Sequence, residues 1–239
     1  EWIDEKIRVI LKPIKDDLEK IITSADLRSI VYNLFNFLGT MSIEDYQSDI
    51  KKLTDEKKLL ISKLGIRIGA KFFFTPNFLK KNAMELNALL WKTFYEHDLS
   101  GNYPFPKDGR VSFITEINLP QTYWAAIGYI CIDNFAIRVD VFEKIFFLAR
   151  KKIKLGPFLE SSELMNPIGC NSSQLSDILS FCGFESITLG NENKLYFFKQ
   201  KKIIQKKNFI KKEKNIKIIK KKKKLKNIHK IKNDPNSPF

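Results

Sequence analysis

The sequence of 239 residues contains few of the side chains from which catalytic and metal sites are usually built. It has two histidines, His97 and His229, and three cysteines, Cys131, Cys170 and Cys182. Histidine is the main proton carrier near neutral pH and a frequent metal ligand, so two isolated histidines offer little material for either chemistry. The cysteines are odd in number and widely spaced, which fits neither a disulfide framework nor a zinc cluster. We therefore expect structural or solvent-facing histidines, core cysteines and a reducing, cytoplasmic compartment.

Nucleotide-binding and membrane-spanning motifs are also lacking. The sequence contains no GxxxxGK[ST] loop, no acidic magnesium box and no GxGxxG opening a helix. No uncharged apolar run approaches the roughly 18 to 20 residues that span a bilayer. We expect no catalytic residue, metal or cofactor in this fragment, and no transmembrane segment. The chain begins at Glu1, within a helical pattern, and we expect it to be a piece of a longer protein.

Charge is distributed very unevenly along the chain. The formal net charge is +15. Residues 199–239 contain 17 lysines against two acidic residues, whereas residues 1–198 contain 25 basic and 25 acidic side chains. The body of the protein is neutral, and residues 199–239 form a basic tail.

The basic tail is built almost entirely from Lys, Ile and Asn, and such dense like charge predicts disorder in the free chain. Each lysine that neutralises a phosphate releases a counterion, so the tail is predicted to bind nucleic acid without sequence preference. An adenine- and thymine-rich genome is an alternative source of this composition, and an anionic membrane surface is a weaker alternative partner. The candidate contacts in the tail are Lys211, Lys212, Lys217, Lys220, Lys221, Lys222, Lys223, Lys224 and Lys226.

Residues 1–103 are predicted to form a mainly helical accessory domain. Apolar residues recur every three or four positions over the first 64 residues, which is typical of helices. Ser24 and Thr54 are predicted N-caps, and Asn82 with Glu85 is predicted to cap a later helix. Alternation between Gly65 and Pro76 instead favours an extended segment.

Residues 104–198 are predicted to combine a hairpin with a winged-helix-like unit. Residues 129–132 and 135–139 flank a two-residue turn, and Asp140 with Glu143 is predicted to cap the helix that follows. Two further helices, at 162–166 and 172–181, precede a second hairpin. Helix, helix, helix and hairpin is the order of a winged helix-turn-helix. The predicted class is mainly α with small β-hairpins (α+β), followed by the disordered tail.

The third helix of a winged-helix unit often reads DNA in the major groove. Residues 171–184, however, contain no Lys or Arg, and Asp177 is their only charge. Inserting this helix between phosphates would leave them uncompensated, so the sequence favours a packing or protein-contact role for this unit.

A second candidate nucleic-acid surface lies in the extended segment. Arg67, Lys71, Lys80 and Lys81 flank three phenylalanines at 72–74, and basic residues beside aromatic rings are typical of single-strand paths. The same cations are equally explained as a solvated edge over a core strand.

Four stretches resemble the C-terminal region of bacterial relatives of the mitochondrial degradosome RNA helicase, a DExH-type superfamily-two motor. They are "KLGIRIGAKFFFTPNFLKKNAMELNALLWKTF" at 63–94, "PFPKDGRVSF" at 104–113, "AIGYICIDNFAIRVDVFEKI" at 126–145 and "LMNPIGCNSSQLSDILSFCGFE" at 164–185. The resemblance covers about residues 1–198.

This resemblance implies an accessory region whose ATP- and Mg-binding motor domains lie upstream in the same polypeptide. The expected partners are those motor domains and single-stranded or structured nucleic acid, RNA above all. The fragment itself would have no ATPase activity. The alternative is a non-enzymatic protein-docking module in which the tail is a non-specific polyanion anchor.

Overall fold

The computed structural model describes residues 2–12, 16, 25–95, 103–107, 109–189 and 194–198. The chain divides into two units, Glu1–Phe198 and Lys199–Phe239, and the second lies outside the described residues. The predicted contacts of the tail and His229 belong to this second unit. His97 belongs to the first unit but also lies outside the described residues. The second unit begins where the composition of the sequence changes.

Helices account for much of the first unit. The α-helices of the described residues are α1 (Trp2–Lys6), α2 (Ala25–Asn36), α3 (Gln47–Lys52), α4 (Asp55–Lys63), α5 (Lys81–Phe94), α6 (Gln121–Ala126), α7 (Val139–Ile153), α8 (Ser162–Met165) and α9 (Ser172–Phe181). A π-helical turn, Ile7–Leu11, continues α1, and short 3-10 turns cover Glu44–Tyr46 and Pro76–Leu79.

The described residues of the unit also form three small antiparallel sheets, each of three strands. The strands are β1 (Thr40–Ser42), β2 (Arg67–Ile68), β3 (Phe72–Phe74), β4 (Ser112–Ile114), β5 (Tyr129–Ile132), β6 (Phe135–Arg138), β7 (Phe158–Leu159), β8 (Phe184–Thr188) and β9 (Lys194–Phe198). Their orders are β1-β3-β2, β4-β6-β5 and β7-β9-β8. The fold is mixed α/β, so the predicted combination of helices with small hairpins is confirmed at that level.

The described residues form three hydrophobic core clusters, and two of them cross the predicted domain boundary at residues 103 and 104. In one cluster Trp91 of α5 packs edge-on against Tyr123 of α6, with ring centroids 5.3 Å apart. In another, Phe74 of β3 joins the buried face of α7. Both sides of the predicted boundary therefore belong to one compact unit.

Local signals predicted several elements correctly. The first hairpin pairs Tyr129 with Arg138 and Ile132 with Phe135, and Asp133 in its turn has a φ of 52°. The Thr54 side chain caps α4 by accepting the Lys57 N–H at 3.4 Å.

Other local predictions were wrong. β1 is a strand within the first 64 residues, where the pattern predicted a succession of helices, because Thr40–Ser42 hydrogen-bonds to Phe72–Phe74 far along the chain. α5 begins at Lys81 and has no side-chain cap, so the predicted capping pair Asn82 and Glu85 lies within the helix.

Candidate nucleic-acid interface

One face of α7 carries a row of basic side chains around an exposed phenylalanine. The opposite face is buried through Phe142, Ile145, Phe146 and Ala149. Because an α-helix repeats every 3.6 residues, this burial turns the positions between them to the outside. The outward positions are Lys144, Phe147, Arg150, Lys151 and Lys154, all of them exposed.

This outer face forms one wall of a groove of about 730 Å³. The other wall is the β2–β3 hairpin, which contributes Arg67, Ile68, Gly69 and Ala70, with Pro76 beyond it. The basic lining residues of the groove are Arg67, Lys144, Arg150, Lys151 and Lys154. Its acidic lining residues are Asp140 and Glu143.

Glu143 of α7 holds the β2–β3 hairpin against the helix through hydrogen bonds. One of its carboxylate oxygens, Oε2, accepts the Ala70 N–H at 2.6 Å. The other, Oε1, accepts the N–H groups of Lys71 at 2.8 Å and Phe72 at 2.7 Å. Glu143 is buried, with only 8% of the residue accessible to solvent. Hydrogen bonds to a carboxylate are stronger than neutral ones, so Glu143 fixes the turn of the hairpin against the helix.

A glycine makes this close approach possible. A Cβ placed on Gly69 would lie 2.3 Å from Cδ of Glu143, well inside van der Waals contact. The predicted cap formed by Asp140 and Glu143 is therefore wrong. α7 has no side-chain cap, and Glu143 bonds to a turn about 70 residues earlier in the chain instead.

The second carboxylate of the groove is also engaged. Asp140 accepts two hydrogen bonds from the Arg138 guanidinium, at 2.7 Å from Nε and 2.9 Å from Nη2. This two-point geometry is the strongest that an arginine and a carboxylate adopt. Asp140 is therefore paired with Arg138, whereas Glu143 is bonded to neutral backbone N–H groups, which do not offset its charge.

The groove cations form no close ion pair in the described part of the chain. Lys151 acts only at longer range on Glu163, whose pKa is lowered mainly by Lys152 and to a smaller extent by Lys151. None of the five forms an ion pair within 4 Å of a described carboxylate. Arg150 stacks on Phe146 at 5.7 Å, and Arg67 donates a 3.4 Å hydrogen bond to the Ser62 hydroxyl. The groove therefore presents an excess of positive charge to solvent, with five basic lining residues against two acidic ones.

Helix electrostatics explain part of this arrangement. Basic residues in the last turn of a helix favour its negative C-terminal end, and Arg150 and Lys151 lie in the last turn of α7. Lys144 lies about two turns further from that end, and Arg67 lies on a different element. The helix terminus therefore does not account for the whole set.

The structure separates the four cations that the sequence grouped beside Phe72–Phe74. Arg67 lines the groove. Lys71 instead pairs with Glu44 at 2.6 Å, which lowers the pKa of that carboxyl, and it lies 5.7 Å from the Phe181 ring. Lys80 is exposed just before α5, and Lys81 borders a separate pocket of about 230 Å³.

The phenylalanines of β3 do not form a stacking platform. Phe73 and Phe74 are buried, and Phe72 packs edge-on against Phe142 with centroids 5.8 Å apart. The outward row of α7 was not predicted from the sequence. A periodic signal was present there, since Lys144, Phe147, Arg150 or Lys151, and Lys154 recur every three or four residues.

The cysteines lie in apolar surroundings and are not activated. Cys131 and Cys182 are buried, as predicted, and Cys170 is half-buried. Burial raises the pKa of Cys170 to about 11 and that of Cys182 to about 12. Thiols with such values remain protonated and poorly nucleophilic at neutral pH.

Among the described residues, no group of three or more His, Cys, Asp or Glu side chains is placed to hold a metal ion. No described helix is long and apolar enough to cross a membrane.

Comparison with known proteins does not assign the chain to a family. No family model, curated protein or solved structure matches it.

Proposed function

We propose that this chain is a nucleic-acid-binding accessory region of an ATP-dependent helicase polypeptide. The observation that carries the proposal is the groove beside α7, where five exposed cations outnumber two carboxylates and none of the five forms an ion pair within 4 Å among the described residues. Phosphate oxygens are the complementary charge, and lysines that replace their counterions give affinity without sequence preference.

Two parts of the chain share this work in the proposal. The groove holds the strand on the folded unit, and the basic tail, with Lys220 to Lys224 at its densest point, captures it from solution. A tether of this kind raises the local concentration of nucleic acid beside the groove. ATP and Mg would be bound by the motor domains that the helicase resemblance implies upstream. We expect a cytoplasmic location, where RNA is abundant.

The winged-helix-like unit has a different role in the proposal. The order α7, β7, α8, α9, β8 and β9, with sheet order β7-β9-β8, supports the winged-helix assignment. The exposed residues of α9 are Ser173, Asp177, Ser180 and Phe181, which include one carboxylate and no cation. That face would repel phosphate.

The second candidate function, protein docking, is favoured by this same face. A polar surface with one exposed phenylalanine fits a protein partner better than a DNA groove. In the helicase reading, that partner is another domain of the same polypeptide.

The proposal is tested by binding of a fluorescent single-stranded RNA to the intact chain across a salt series. The groove variant is Lys144→Gln with Lys151→Gln, and its matched control, Lys51→Gln with Lys63→Gln, removes two exposed lysines elsewhere. For single strands the logarithmic salt slope is about 0.7 per phosphate contact, so the groove variant should lose about 1.4 from the slope.

The control should leave the slope unchanged. Equal slopes for the groove variant, the control and the unmodified chain would contradict binding in the groove. Replacing Lys220 to Lys224 by glutamine in the intact chain measures the share of the tail separately.

A further inference from the structure

Phe147 is an apolar ring placed among the basic residues that line the groove. It is 66% exposed and lines the groove. Single exposed apolar side chains are common on protein surfaces and usually require no explanation. Phe147 differs in its neighbours, because cations flank it on both sides along the helix.

The spacing of these neighbours is set by the helix. Lys144 precedes Phe147 by three residues, and Arg150 and Lys151 follow by three and four, so all lie on one face. At a rise of 1.5 Å per residue, the row from Lys144 to Lys154 is about 15 Å long. That length accommodates a few nucleotides, with the ring near the centre.

Across the groove the wall is small and fixed. Gly69 and Ala70 carry little or no side chain, and the Glu143 hydrogen bonds hold their backbone in place. Phe147 and this turn line the same groove of about 730 Å³. A groove of this size accommodates a small planar group.

We propose that Phe147 stacks on an unpaired nucleobase while the cations on either side bind the adjoining phosphates, so that the groove selects single strands over duplexes. This inference rests on the proposed function and adds the class of nucleic acid to it. Stacking on an aromatic side chain tolerates any base, because every base has a π-face. In a duplex the same face is covered by neighbouring base pairs, and exposing it requires unstacking.

The test compares Phe147→Leu with the unmodified intact chain, both in a background where Lys220 to Lys224 are glutamine. Leucine keeps the apolar volume and removes the π-face. Three probes are used: a single-stranded RNA hexamer containing 2-aminopurine, a duplex of the same sequence and heparin, a polyanion without bases. Phe94→Leu, which changes a ring 80% exposed on α5, is the matched control.

We expect Phe147→Leu to weaken binding of the hexamer about fivefold or more and to abolish the fluorescence quenching that stacking produces. Duplex and heparin binding should stay within about twofold, and Phe94→Leu should change nothing. Unchanged hexamer binding and quenching would overturn the stacking inference while leaving the charge-based groove intact. Equal losses on all three probes would also overturn it, since they would show that Phe147 shapes the groove without contacting a base.

A different result would refute the proposed function. If the Lys144→Gln and Lys151→Gln variant binds every probe as the unmodified chain does, phosphate binding in the groove is refuted. Quenching that depends on Phe147 would then be absent as well.

Discussion

Replacing Glu143 with glutamine tests whether one carboxylate holds the groove together. The substitution keeps the shape of the side chain and removes its charge. The amide oxygen of glutamine can still accept the N–H groups of Lys71 and Phe72. The amide nitrogen would then face the Ala70 N–H, which in the unmodified chain lies 2.6 Å from an accepting carboxylate oxygen. Two donors cannot bond to each other, so the Ala70 N–H loses its partner.

The expected loss follows from these contacts. A buried N–H without a partner costs about 1 to 3 kcal/mol, and the two remaining bonds lose the strengthening that charge gives them. We therefore expect Glu143→Gln to lower the free energy of unfolding by about 2 to 4 kcal/mol. For a unit of this size that corresponds to a fall in Tm of about 5 to 15 °C.

Urea unfolding of the intact chain, followed by tryptophan fluorescence, measures this loss. The matched control is Glu116→Gln, an exposed carboxylate, which should change the free energy by less than about 0.5 kcal/mol. If Glu143→Gln is as stable as this control, the carboxylate does not hold the hairpin, and the rigid wall of the groove loses its physical basis.

Three further outcomes follow from the same contacts. Gly69→Ala should lower the free energy of unfolding in urea by about 1 to 3 kcal/mol. The loss should be clearly smaller in a Glu143→Ala background, because the new methyl group then meets no carboxylate. Equal losses in both backgrounds would exclude the clash with Glu143 as the cause. Lys71→Gln should leave RNA affinity within about twofold, since Lys71 is paired with Glu44, whereas Lys144→Gln should weaken it about fivefold at 0.1 M salt; equal effects in a binding titration would contradict the assignment. Cys182 should resist alkylation at pH 8.5 until the chain unfolds, because burial raises its pKa to about 12. The contribution of this thiol to the free energy of unfolding is present below the ordinary thiol pKa and is lost as the pH rises toward 12. Rapid labelling of Cys182 in the folded chain, located by mass spectrometry, would refute this prediction.

Elements specified by neighbouring residues were predictable from the sequence. The hairpin of β5 and β6 has two apolar runs around Asp133 and Asn134, and both strands and the turn lie where the pattern placed them. α9 likewise has a local start signal, because Asn171 and Gln174 cap each other in a reciprocal pair of hydrogen bonds.

Strands that depend on distant partners were not predictable. β1 and β7 have three and two residues, too few for a periodic signal, and they exist because Phe72–Phe74 and Leu195–Tyr196 pair with them. The wrong cap at Asp140 and Glu143 has two causes. Glu143 bonds to a distant turn of the chain, and Asp140 bonds to the side chain of Arg138, two residues before it.

The candidate site divides in the same way. Arg67 was identified from sequence and lines the groove, whereas Lys71 was identified by the same reasoning and is held by Glu44. An ion pair between residues 27 positions apart has no signal in a single sequence. The outward row of α7 did have a signal in the sequence, because its basic residues and Phe147 recur every three or four positions. Only the apolar face of this helix was used for the prediction.

Photo-crosslinking tests the central claim most directly. A single-stranded RNA carrying photoreactive bases is bound to the intact chain at 0.1 M salt, irradiated and digested, and the crosslinked peptides are identified by mass spectrometry. We predict crosslinks within residues 139–154, with Phe147 among the modified positions, in addition to crosslinks in the basic tail. Crosslinks confined to residues 199–239 would contradict the account and leave the folded unit as a scaffold for protein contacts.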